Sequence, residues 1–301
     1  MSPGKHDITW KYDFSFNTDK NASGYCRVRQ VGVEHTPTIS VSLKEPGSLG
    51  TEVLAQTDHV KNVRKLIISG EMNADDWAQI LNMNSIFSLD LTDAAITEIP
   101  EKALSRGYHG NELSFLHSVK LPKTLKSIGN YALDETNIDE IVFPDGLESI
   151  GAYAFHGTRI KEAILPASLK ELKTIYNDGD NFSDCYSLEK IIIPASVVTI
   201  PSGAFSGCYL LQPFQLPEGI TTIGNSAFSR CGNFDTTIPT TVTSIGSSAF
   251  SNSGLTSVVI NENTTVGDHA FNGCGKLVSA VLPTTYYDDV YRMLGNCGSL
   301  S

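Results

Sequence analysis

Five of the six cysteines share one position in a recurring phrase: Cys185, Cys208, Cys231, Cys274 and Cys297. Their spacings are 23, 23, 43 and 23 residues, and Ser253 stands where the longer step skips a copy. A disulfide framework brings irregular spacings and crossing partners. A fixed register suits small apolar side chains stacked as a ladder, so these read as buried free thiols. Coils about 4.8 Å apart still leave a bridge between neighbouring rungs within reach. Cys26 lies outside the ladder.

The seven histidines (His6, His35, His59, His109, His117, His156 and His269) fall at scattered repeat positions and read as variable surface residues. There is no H-E-x-x-H, no paired histidine at ligand spacing and no Cys-x-x-Cys. G-x-S-x-G, the P-loop and G-x-G-x-x-G are equally missing. No catalytic residue, metal site or cofactor is expected. One insertion concentrates oxygen donors: the step from Pro166 to Pro194 is 28 residues against the usual 22 or so. It contains Tyr176, Asn177, Asp178, Gly179, Asp180 and Asn181, with Asp184 nearby. Those oxygens suit Ca²⁺, but their order is not the D-x-[DN]-x-[DN]-G loop. A recognition loop formed by Tyr176, Asn177, Asp178, Asp180 and Asn181 is a second reading, and a tolerated insertion the third.

The elements that hold these residues follow from the phrase itself. Between Phe115 and Leu300 the chain repeats L-x-x-I-x-L-P, a polar stretch, I-G-x-x-A-F and x-x-C about every 22 residues. Leu188–Cys208 and Leu211–Cys231 are the clearest copies. A period of this length means a stacked solenoid, whose copies bury apolar residues only against their neighbours. The expected fold is mainly β: a right-handed leucine-rich stack of about ten coils with a parallel sheet. Its rungs are Leu66/Ile68, Leu89/Leu91, Val119/Leu121, Ile141/Phe143, Ala163/Leu165, Ile191/Ile193, Phe214/Leu216, Thr236/Ile238, Val258/Ile260 and Ala280/Leu282. Residues two apart on a strand point the same way, so both members of a pair face inward.

Proline after most strands ends the ladder at a corner. A second short strand follows in each copy, usually with a glycine where the backbone turns. Ala-Phe pairs at Ala154-Phe155, Ala204-Phe205, Ala227-Phe228, Ala249-Phe250 and Ala270-Phe271 fill the far side of the coil. Thr236, the missing proline at Asn261 and a stretch one residue short before Ile238 are expected to loosen the stack locally without ending it. Residues 61–110 form atypical entry units, with one short helix over Asn73–Leu81: Asn73 caps, and Trp77, Ile80 and Leu81 share a face. Residues 1–60 lack the repeat. Trp10, Tyr12, Phe14 and Phe16 alternate with polar residues, as do Arg27–Val33 and Thr38–Leu43, which predicts a small β cap or part of a β domain. The solenoid is therefore expected over 61–301, with the regular repeats over 111–301. The pattern stops in mid-copy at Gly298–Ser301, which suggests a truncated or variant end.

The residue between each inward pair points to solvent: Lys120, Val142, Ile164, Ile192, Gln215, Thr237, Val259 and Val281. Val142, Ile164 and Ile192 form an aliphatic stripe flanked by Glu140, Glu162 and Lys190; Val259 and Val281 form a smaller patch. Such exposed apolar area marks partner sites. The plainer reading is β-branched residues chosen for strand propensity.

Formal net charge is −11, so a nucleic acid or an anionic membrane is repelled on average, and no lysine cluster offsets this. No run approaches the roughly 18 apolar residues of a membrane span. Met1–Trp10 has no signal-like apolar segment. The chain is therefore either cytosolic or begins after a cleaved signal.

The wording I-x-L-P … I-G-x-x-A-F-x-x-C resembles the BspA-like, or Treponema pallidum-type, leucine-rich repeats over roughly 111–301. The segment from Val60 to Thr97 also looks like the entry units of such proteins from Bacteroides-type bacteria. The resemblance implies a secreted or surface-exposed, non-enzymatic protein that binds host proteins, other cells or matrix, with a protein or glycan partner. It supplies no catalytic residues. A structural spacer of the cell envelope is the alternative.

Overall fold

The computed structural model describes residues 8–10, 33–35, 38–106, 113, 115–286 and 290–300. Tyr12, Phe14, Phe16, Cys26, most of Arg27–Val33, His6 and His109 lie outside them, as do the side chains of Trp10 and His35. Of the predicted β cap, Ile8–Trp10 pairs antiparallel with Val33–His35.

The solenoid begins earlier than residue 61. Thr38–Ser42 pairs in parallel with Lys65–Gly70, which pairs with Ser88–Ala94 and then with Ser118–Lys120. Ile39, Leu66, Leu89 and Val119 share one register and are buried. The expected boundary at residue 60 thus moves to Thr38. Two helices return the chain between these first strands rather than one: α1 (Leu49–Leu54) and α2 (Ala74–Asn82). Asn73 caps α2 through Asp75 N and Asp76 N, and Asp76 completes the capping box. The fully buried Asp76 carboxylate also accepts from Gly47 N at 2.7 Å and Leu49 N at 3.0 Å, pinning the start of α1 to the start of α2. A short α3 (Val290–Met293) packs on the last coil: Phe271 N donates to Met293 O.

The sheet of about ten strands is cut into pieces. After Ser118–Lys120 a single bridge reaches Glu140; then Glu162–Ile164 pairs with Lys190–Ile192, and Ser257–Val259 with Ser279–Val281. Residues 214–216 and 236–238 are not strands. The cause is local. Thr236 is buried at an inward position, and its hydroxyl accepts from Leu216 N at 3.3 Å. The second strands run on longer: Glu98–Ile99, Ser127–Ile128, Ser149–Ile150 and Glu171–Leu172 form one ladder. Thr199–Ile200, Thr222–Ile223, Ser244–Ile245 and Thr265–Val266 form another, so the stack loosens at Thr236 on one side only.

Phenylalanines supply the spine. Phe155, Phe182, Phe205, Phe228, Phe250 and Phe271 stack ring on ring, 5.1–5.7 Å apart. Each ring lies offset on the next in a favourable geometry. One buried apolar cluster runs from Ile39 to Leu294.

Where glycine follows the second strand, as Gly129, Gly151, Gly224, Gly246 and Gly267 do, it serves close approach, not a turn. A Cβ on Gly151 would lie 2.4 Å from the Gly129 carbonyl carbon of the coil below. The left-handed turn comes two residues later, where Lys102, Tyr131, Tyr153, Ser226, Ser248 and His269 take φ of 53–60°.

Candidate functional site

The outward face positions are open to solvent as the alternation requires: Val142 is 83% exposed, Ile164 52%, Ile192 45%, Val259 60% and Val281 55%. Ile164 lies directly beside Ile192, and Val259 beside Val281. Glu162 lies beside Lys190, whose Nζ is 3.3 Å from Glu162 Oε2. No ladder joins Glu162–Ile164 to Glu140–Val142, and Lys161 N, donating to Asp139 O at 3.3 Å, ties the two coils there. A depression of about 550 Å³ lies over that seam, lined by Ile141, Val142, Phe143 and Ile164 with Glu140 and Glu162. The stripe is thus two side-by-side isoleucines and a valine across a hollow.

Other outward positions are occupied by internal bonds. Lys120 Nζ reaches Asp90 Oδ2 at 2.9 Å, and Thr237 Oγ1 donates to Gln215 Oε1 at 2.6 Å. Burial alone would raise the Asp90 pKa, but hydrogen bonds from Lys120 and Thr92 hold it below its ordinary value.

The insertion is a tight hairpin. Ile175 and Asp178 exchange both backbone hydrogen bonds, and Tyr176 and Asn177 take φ of 52° and 73°, the pattern of a two-residue primed turn. Tyr176 at its tip is 96% exposed. Asn181 does not belong to any recognition loop, since it is fully buried. It replaces the alanine of the Ala-Phe pair, and its Nδ2 donates to Gly151 O at 2.8 Å and Lys173 O at 3.0 Å. Asp180 is half-buried with its carboxyl raised by that burial, and Tyr153 is raised by burial and by its hydrogen bond to Asp180. Among the described residues no group of three or more His, Cys, Asp or Glu is placed to hold a metal.

The ladder cysteines are free thiols, four of them buried. Each Sγ donates to the carbonyl of the phenylalanine one coil back: Cys185 to Phe155, Cys208 to Phe182, Cys231 to Phe205, Cys274 to Phe250 and Cys297 to Phe271, at 3.1–3.2 Å. Burial pushes Cys185 and Cys231 up to about 12, which removes the reactive thiolate at neutral pH.

The sequence hid one ionisable cluster. His156 Nδ1 lies 2.7 Å from Asp134 Oδ1, and its Nε2 is 3.7 Å from Asp184 Oδ2. The bond to Asp134 raises the His156 pKa against a smaller opposing effect of burial. His156 and Asp184 border a second hollow of about 430 Å³ with Arg106, Glu135 and Arg159. Nearby buried hydroxyls are engaged: Ser105 Oγ donates to Asp134 Oδ2, and Thr158 Oγ1 to Phe155 O. An imidazole clamped between two carboxylates is a tie between coils rather than a free base. Only the stacking of successive coils brings the three together.

The BspA type leucine rich repeat region, in six copies, matches residues 108–176 and 175–300, well over half of the sequence. The chain belongs to the BspA-type leucine-rich repeat family. Its fold is similar to the crystal structure of a leucine-rich repeat protein from Bacteroides ovatus, with a TM-score of 0.64 at 21% identity over 100% of this chain and 70% of that one. A leucine rich cell surface protein from Faecalibacterium prausnitzii overlaps at a TM-score of 0.42 and 18% identity, covering 90% of this chain and 84% of that one. The T. pallidum leucine rich repeat protein gives 0.39 at 22% identity over 71% and 78%. No curated protein matches. The six matched BspA-type copies contain every face residue from Glu140 to Val281. Among the described residues no helix is long and apolar enough to cross a membrane.

Proposed function

We propose that this BspA-type solenoid is a non-enzymatic protein of the cell surface or extracellular space that binds a protein or glycan ligand through its sheet face, in adhesion or host contact. The observation that carries the reading is the exposure of Val142, Ile164 and Ile192 on a scaffold whose recurring residues are buried. Strand propensity accounts for β-branched side chains, but covering them with a partner also recovers about 25 cal/mol for each Å² of apolar surface. A rigid stack loses little conformational freedom on binding. The surface location rests on what the family resemblance implies. We take the solenoid from Thr38 onward as the working unit, with the preceding residues as its N-terminal cap. Tyr176, at the tip of its hairpin, is a secondary contact.

The test is the triple variant Val142→Lys, Ile164→Lys, Ile192→Lys, labelled and applied to epithelial cells, to a mucin-coated surface and to a surface coated with extracellular matrix. Retention should fall at least tenfold on whichever surface holds the parent. Unchanged retention on all three would leave the spacer reading in place.

A further inference from the structure

The seam between Glu140–Val142 and Glu162–Ile164 differs in chemistry from the rest of the face. Its hollow of about 550 Å³ has half-buried Ile141 beneath exposed Val142 and Ile164. Carboxylates ring it: Asp139, Glu140, Asp145 and Glu162, against one lining lysine, Lys161. Lys190 partly offsets Glu162 alone. Asp139, Glu140 and Asp145 are exposed and make no ion pair among the described residues. An apolar floor inside an anionic rim selects an occupant with an apolar centre and cationic flanks. A glycan offers no such cations.

We infer that this seam docks an extended basic segment of a protein partner, with a bulky apolar side chain seated over Ile141 and lysine or arginine on both flanks. The inference rests on reading the sheet face as a docking surface, and it names the chemistry of the partner. In an extended segment, side chains two apart point the same way, about 6.6 Å from one another. A central apolar residue entering the hollow therefore sends the cations at two positions before and after it toward the rim. Asp139, Glu140, Asp145 and Glu162 meet those cations, and Ile141, Val142 and Ile164 meet the apolar group. The rim should raise the association rate, in a way that salt suppresses.

The experiment is fluorescence anisotropy with a labelled peptide that repeats Lys-Ser-Leu-Ser four times, titrated with the whole chain at low and at physiological salt. Two control peptides replace every lysine by glutamate or every leucine by serine. The parent should bind the lysine–leucine peptide at least tenfold more tightly than either control. Glu140→Lys with Asp145→Lys should weaken binding at least tenfold. Glu218→Lys with Glu262→Lys makes the same change of charge at exposed sites further along the stack, and should cost less than threefold. Equal weakening by the remote pair would mean attraction by net charge alone and would overturn the inference. So would no binding of the lysine–leucine peptide. If the glutamate–leucine peptide binds equally well and Val142→Lys abolishes it, the sheet-face reading survives and the cationic partner does not. Circular dichroism melting of each variant separates lost binding from lost fold.

Discussion

At the scale of single residues, the recurring side chains bond as well as fill. The cysteine register is plain in the sequence, and the thiols are buried as that register requires. Their second role is not visible there: each donates to a phenylalanine carbonyl one coil back. Thr136, Thr158 and Ser253 hold the same rung in other copies, and Thr136 and Thr158 donate to the carbonyl three residues before them. A position that accepts Cys, Thr or Ser wants a small side chain with a proton to give, and that signal was present. His156 gave none, because its partners come from the coils below and above. Its pKa is raised in the fold from an unfolded value near 6.5. The charged ring therefore contributes stability that is fully present below about pH 6.5 and is lost as pH rises through the raised value. Urea unfolding from pH 6 to 9 should show the parent losing stability relative to His156→Gln as pH rises. Parallel pH profiles would remove the tie.

At the scale of elements, period and alternation located the coils, while the breaks in them depended on pairing that spacing cannot express. In other copies the carbonyl at this position accepts from the alanine N–H three residues on, as Gly129 O does from Ala132 N and Gly151 O from Ala154 N, and the hairpin at Ile175–Asp178 separates Lys173 from that donor. Asn181 answers Gly151 O and Lys173 O with its amide, which is why an asparagine stands where other copies hold alanine. Counting residues marked the insertion but assigned Asn181 to the loop rather than the core. Asn181→Ala should cost about 1–3 kcal/mol, since it strips Lys173 O of the amide that bonds it. Tyr176→Asn, at an exposed left-handed position that asparagine tolerates, should stay within about 0.5 kcal/mol. Urea midpoints for the two variants decide this, and the opposite ranking would return Asn181 to the loop. The first unit was missed for another reason: α1 buries only Leu49 and Val53, too few residues to show a helical period.

At the scale of the whole molecule, the sequence divides its labour between two sets of positions. Inward letters repeat because each coil's only apolar partner is the next coil, so a solenoid is close to a sum of neighbour contacts. Outward letters vary, and Val142, Ile164, Ile192, Val259 and Val281 are apolar ones left exposed. The division made the fold readable from periodicity, and it left the partner unreadable, because one seam's hollow depends on where the ladder fails to close. Native-state hydrogen–deuterium exchange tests the division directly, comparing Phe228→Ala with the triple variant Val142→Lys, Ile164→Lys, Ile192→Lys. Removing Phe228 should cost about 3–5 kcal/mol and speed exchange in the coils on both sides, from Phe205 to Phe250, while the triple variant exchanges like the parent. Opening of the stack by the lysines to the same extent as by the loss of Phe228 would contradict the account, because the face residues would then be part of the core.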